Sequence, residues 1–107
     1  MKREQIRQGD VLLEAIEPDE IPANATPVAP ENGRYILAHG EVTGHAHAVV
    51  ADERVTMLER DGVLYLRVTA QTELTHDEHT AHSLTAPAYR KVQQREYHPE
   101  AIRNVID

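Results

Sequence analysis

At 107 residues the chain accommodates one domain, residues 1–107, and no second independent core. Its 40% hydrophobic and 27% charged residues are a globular balance rather than that of a disordered tail, and no apolar run approaches the ~20 residues a membrane-spanning helix needs. Lys plus Arg number 11 against 18 Asp plus Glu, and a formal charge of −7 with scattered basic residues argues against nucleic acid or an anionic membrane as partner.

Cysteine is absent, which removes disulfides, thiolate nucleophiles, Cys-ligated zinc and iron–sulfur clusters together. Met1-Lys2-Arg3-Glu4-Gln5 leads into no apolar stretch that could serve as a signal peptide, so a cytoplasmic location is expected. Trp and Phe are both missing. A core of Val, Leu, Ile, Ala and four tyrosines is modest, and burial between subunits would supplement it, so a homo-oligomer is expected.

The elements read as β-strands. Residues 10–16 (DVLLEAI) form a first strand entered from the Gly9-Asp10 turn. Residues 17–33 carry prolines at 18, 22, 27 and 30, which a helix or central strand would not tolerate, so a long, semi-rigid surface connection is expected, ending in the Asn32-Gly33 turn. Residues 34–41 are a second strand with Tyr35, Leu37 and His39 on one face, and Gly40 and Gly44 bracket a tight turn or bulge. Residues 45–50 are a third strand with His45, His47 and Val49 on one face.

Two further strands, 54–60 and 62–70, flank the hairpin dipeptide Asp61-Gly62. In the second of these, Leu64, Leu66 and Val68 face the core while Tyr65, Arg67 and Thr69 face away. The polar residues 71–83 read as a loop, residues 88–97 as a long edge strand, and His98-Pro99-Glu100 as the opening of a short C-terminal helix. The expected architecture is all-β, a small antiparallel barrel or sandwich of six to seven strands closed by that helix.

Seven histidines are the informative feature, and six fall in two clusters: His39, His45 and His47, then His76, His79 and His82. In His45-Ala46-His47 the two Cα atoms lie about 6.5–7 Å apart along a strand and the side chains point the same way, a spacing from which both imidazoles can reach one ion at about 2.0–2.1 Å. In THDEHTAH, His76, His79 and His82 stand three apart with Asp77 and Glu78 between the first two. Such a segment supplies ligands and the acceptors that fix ring tautomers. A single zinc takes four ligands, one of them open in an enzyme, so the expected set is His45, His47 and His79, with His76 and His82 in a solvated loop. His39 reads either as a satisfied core histidine or as a neighbour of the site, and Glu41 and Thr43 lie in the adjacent turn. His98, before a proline, reads as exposed or capping.

Gly40, His45 and His47, followed by Asp52, resemble the first motif of the cupins, small β-barrels in which a glycine precedes an HxH pair and an acid. The resemblance covers roughly residues 40–79. It implies a barrel-like fold with a His-rich metal centre, Asp52 as an acidic ligand and His79 as the histidine from a later strand.

A histidine centre without thiolates suits zinc first, with iron, manganese or nickel as alternatives. Three neutral imidazoles leave the ion its full double charge, which in the zinc case brings bound water to a pKa of about 7. The expected function is therefore metal-dependent hydration or hydrolysis of a small-molecule substrate, with carbonic-anhydrase-like metal-hydroxide chemistry. Glu41, His39 or a loop histidine would shuttle the proton, and Thr43 would hydrogen-bond the bound water. One alternative is a non-catalytic metal-binding oligomeric module or sensor. Another, following the cupin resemblance, is an iron or manganese oxygenase or isomerase.

Overall fold

Gly9-Asp10 reverses the chain for the first time, with Gly9 at φ +56, in the left-handed region that costs a glycine nothing. The computed structural model describes residues 3–40 and 45–92. Across this turn β1 (Gln5–Gln8) pairs antiparallel with β2 (Val11–Ile16), Gln8 standing opposite Val11. In β1, Ile6 and Gln8 are buried while Gln5 and Arg7 are exposed. Because one of the two inward residues is polar, this strand leaves no apolar alternation, and the sequence reading begins only at β2.

Eight more strands follow: β3 (Thr26–Pro27), β4 (Arg34–His39), β5 (Ala46–Val50), β6 (Val55–Arg60), β7 (Val63–Val68), β8 (Thr72–His76), β9 (His79–Leu84) and β10 (Ala88–Lys91). They form two antiparallel sheets, ordered β1-β2-β10-β7-β6-β3 and β4-β5-β8-β9. The all-β antiparallel class is as expected, with ten strands in place of six or seven and two open sheets rather than a closed barrel. Among the described residues the one helical element is a 3-10 turn at Pro18–Glu20. The expected C-terminal helix and the turn residues Glu41 and Thr43 lie outside the described residues.

One core draws on both sheets. Val11, Leu13, Met57, Leu66 and Tyr89 from the larger meet Leu37, Val49, Leu74 and Leu84 from the smaller, all buried. Tyr89 supplies the bulk that Phe and Trp do not, and its hydroxyl accepts hydrogen bonds from the Thr85 and Ala86 amides at 2.9 and 3.0 Å.

Four local expectations are corrected. Tyr65 does not face away from apolar surroundings: it is buried on the opposite side of the large sheet with Ile16, Leu58 and Ala88, under Ile21 of the proline-rich segment. That segment is thus more than a connection, and its Thr26–Pro27 strand pairs with β6 at an edge, where a proline is tolerated. The strand at Ala88–Lys91 is central, between β2 and β7, rather than at an edge. Most consequential for the site, the expected loop 71–83 is the β8–β9 hairpin, closed by the two residues Asp77 and Glu78. No glycine or asparagine marks that turn, so turn chemistry did not reveal it.

Candidate metal centre

The β8–β9 hairpin explains why two histidines three positions apart converge. His76 ends one strand, His79 begins the next, and they are direct cross-strand partners, so both rings leave the same face of the ladder. Their centroids are 4.8 Å apart. His47, buried on β5, brings a third ring, 4.3 Å from His76 and 5.7 Å from His79. One nitrogen from each of the three lies within 4.8 Å of the others. Ligating nitrogens of a tetrahedral zinc stand about 3.4 Å apart, a separation that small rotations of the rings would supply.

Gln8 sets the chemistry of the buried ring. Its side-chain amide nitrogen donates to the carbonyls of Leu74 at 3.1 Å and Thr80 at 2.9 Å, which identifies its other atom as the oxygen. That oxygen lies 2.9 Å from His47 Nδ1, so Nδ1 carries the proton and donates. The lone pair of His47 is left on Nε2. Burial first, then the nearby His76 and His79, hold the His47 imidazole below its usual pKa of 6.5 and keep it neutral, the form that binds metal.

Two glycines leave the space beside these rings open. A Cβ on Gly9 would lie 2.9 Å from His79 Nε2 and 3.4 Å from His47 Nε2, close to both nitrogens, and 3.1 Å from His47 Cε1. A Cβ on Gly40 would come within 3.2 Å of His76 Nε2. Any other residue at either position would crowd the rings.

The third ring has a competing bond. The Glu78 amide donates to His76 Nδ1 at 3.0 Å, so in this arrangement His76 carries its proton on Nε2, and ligation through either nitrogen requires that bond to be given up. His45 stands beside the trio, its ring edge-on to His76 at 6.1 Å. Its Nε2 is 3.4 Å from the Asp77 carboxylate, while its buried Nδ1, 3.2 Å from Glu78, is off the hydrogen-bonding line and makes no hydrogen bond. The four imidazoles of His45, His47, His76 and His79 and the Glu78 side chain, with Asp10, Ala38 and His39, surround a cleft of about 350 Å³.

The family model described as a domain of unknown function, DUF8820, matches residues 7–94. The chain belongs to the DUF8820 family. No curated protein and no solved structure matches it. The matched span of this DUF8820 domain includes Gln8, Gly9 and all three clustered histidines.

Of the ligands expected from sequence, the DUF8820 domain brings His47 and His79 together and puts His76, not His45, with them. His45 lies before the first residue of β5, so the simple strand alternation behind the HxH expectation does not extend to it. His39 is exposed at the end of β4, not a core histidine. The cause is a bulge: Tyr35 is opposite Val49, but after the register shift between Ile36 and Ala38 it is Ala38 that stands opposite His47. His39, one residue on, is thereby turned to the other face. His82 pairs with Leu74 and stays out of the cleft. Asp52, the acid of the cupin-like pattern, lies beyond the other end of β5, where both its oxygens are taken by the Arg54 guanidinium at 2.7 to 3.1 Å. That pairing holds its carboxyl below the usual range. Gln8 was missed altogether, and a buried glutamine has no signal in one sequence.

Proposed function

We propose that His47, His76 and His79 hold a divalent ion, zinc first, and that the domain uses it to hydrate or hydrolyse a small substrate. The observation that carries this reading is the neutral His47 ring, fixed by Gln8 so that its free lone pair is Nε2, beside the space that Gly9 leaves open. An ion held by three neutral imidazoles supplies a water acidic enough to act as a nucleophile near neutral pH. The residues of the chain do the rest. Gln8 orients a ligand, the two glycines leave room, and the cleft gives a substrate access to a fourth position. His45, beside His76 at the cleft wall, would take up the proton.

Metal analysis of the purified protein tests this, alongside rates of carbon dioxide hydration and 4-nitrophenyl acetate hydrolysis. About one zinc per chain, with activity lost on chelation and in His79→Ala, is the expected result. A protein that takes up no metal after incubation with zinc overturns it.

A second reading is favoured by one observation. The three histidines come from β5 and from the β8–β9 hairpin, whose described pairing with β5 is at Ala48 and Thr75, so an ion at this point would pin the hairpin to β5. A purely structural site predicts that chelation lowers the unfolding temperature sharply while no hydratase or esterase activity is found with the metal bound.

A further inference from the structure

The mouth of the cleft is acidic. Asp10 and Glu78 line it, and Asp77 reaches the His45 ring from the hairpin tip. The side chains of Asp77 and Glu78 are 52% and 58% exposed, so their charges face the solvent from which a substrate arrives. Among the described residues that line the cleft, the remaining polar side chains are imidazoles, with no Lys or Arg. Three carboxylates against an ion of charge two and the Lys91 ammonium, whose charge is felt at His47, leave the locality about neutral before any substrate enters, so the carboxylates at the entrance decide how a charged substrate is received; the chain as a whole carries −7.

On this basis, and resting on the metal reading above, we infer that the site selects uncharged or cationic substrates and disfavours anions, with Asp77 and Glu78 as the selecting residues. Neither is placed among the ligands: the clustered set is His47, His76 and His79. Their effect is a field across the entrance. A carboxylate about 7 Å from an entering anion, in surroundings close to water, weakens its binding about threefold, so the pair together accounts for about five- to tenfold. The effect shrinks as salt screens it. Phosphate esters and carboxylated substrates are the classes this field rejects, whereas neutral esters, amides and carbon dioxide pass.

The test uses cobalt in place of zinc, because its visible absorption reports both occupancy and the binding of a further ligand. Azide serves as the anionic probe and pyrazole as the neutral one, each titrated at saturating cobalt into the parent protein, the Asp77→Asn/Glu78→Gln double variant and a Glu59→Gln/Glu73→Gln control. The control removes two exposed acids outside the cleft. The expected result is azide binding five- to tenfold tighter in the Asp77→Asn/Glu78→Gln variant at low salt, with pyrazole unchanged and the control like the parent. If no cobalt spectrum forms in the parent, the metal reading fails and this inference with it. If the spectrum forms but azide binds equally in parent and double variant, or azide and pyrazole change alike, the metal reading stands and charge selection is overturned.

Discussion

The Gln8 side chain meets the His47 ring at 2.9 Å in a place where both are buried, and the same amide ties down the carbonyls of Leu74 and Thr80. A strand at the edge of the large sheet thereby holds the His47 ring of β5 and both strands of the hairpin that carries the other two rings. Replacing Gln8 by Ala leaves a buried N–H and two carbonyls without their partner. The expected loss is about 2–4 kcal/mol of unfolding free energy, read from urea denaturation. Zinc affinity should fall about 10- to 100-fold in a chelator competition, because His47 loses its fixed tautomer. An unchanged affinity in a folded variant would remove Gln8 from the site.

Gly9 and Gly62 both adopt positive φ, +56 and +81, but a Cβ on Gly62 meets nothing within 4 Å. Gly62→Ala should therefore destabilise by about 1–2 kcal/mol through the left-handed backbone alone, and Gly9→Ala by at least that much, because its Cβ also crowds the His47 and His79 rings. Only Gly9→Ala should abolish metal uptake, because its methyl group crowds the Nε2 atoms of both His47 and His79. Equilibrium dialysis of the two variants against zinc distinguishes strain from occupied space.

Single alanine variants at His47, His76 and His79 should each lower zinc affinity by at least about 100-fold, whereas His82→Ala should leave it unchanged. His45→Ala is the informative case. An effect much smaller than that of His76→Ala follows from its place outside the trio, and an effect as large would return it to the ligand set expected from the HxH spacing. Isothermal titration with zinc gives all five values.

The Asp52–Arg54 pair has a pH signature. Arg54 lowers the Asp52 pKa in the folded state below its ordinary 3.8, through side-chain and backbone hydrogen bonds. The unfolded chain therefore binds this proton first as pH falls, so the stabilisation is complete above about pH 4 to 5 and is lost as pH drops through the folded-state value. In Arg54→Gln the Asp52 titration, followed by carboxyl NMR, should move up towards 3.8. Metal binding near neutral pH should be unaffected, since Asp52 lies outside the cleft.

Much of the β architecture was legible because period-two alternation survives wherever one face of a strand is buried. Leu66 and Val68 against Arg67 show it, as do the turn signals at Gly9, Asn32-Gly33 and Asp61-Gly62. What misled was local context. Tyr65 looked outward because alternation cannot reveal that Ile21, far back in the chain, covers the second face. The hairpin at residues 72–84 looked like a loop because its edge strand is almost wholly exposed and carries few apolar residues.

The sequence by itself determined the ligand chemistry available: no thiols, clustered histidines, and two acids between His76 and His79. It also determined the strand-forming pattern, since both follow from residue type and short spacing. Tertiary structure alone decided which imidazoles meet. A spacing of three becomes adjacency only when a two-residue turn makes His76 and His79 partners. A single bulge in β4 sets Ala38 opposite His47 and sends His39 to the other face. The tautomer of His47 depends on Gln8, 39 residues away in the chain. Such contacts are set by strand register and sheet packing, which depend on the whole chain and leave no mark in any local stretch of it.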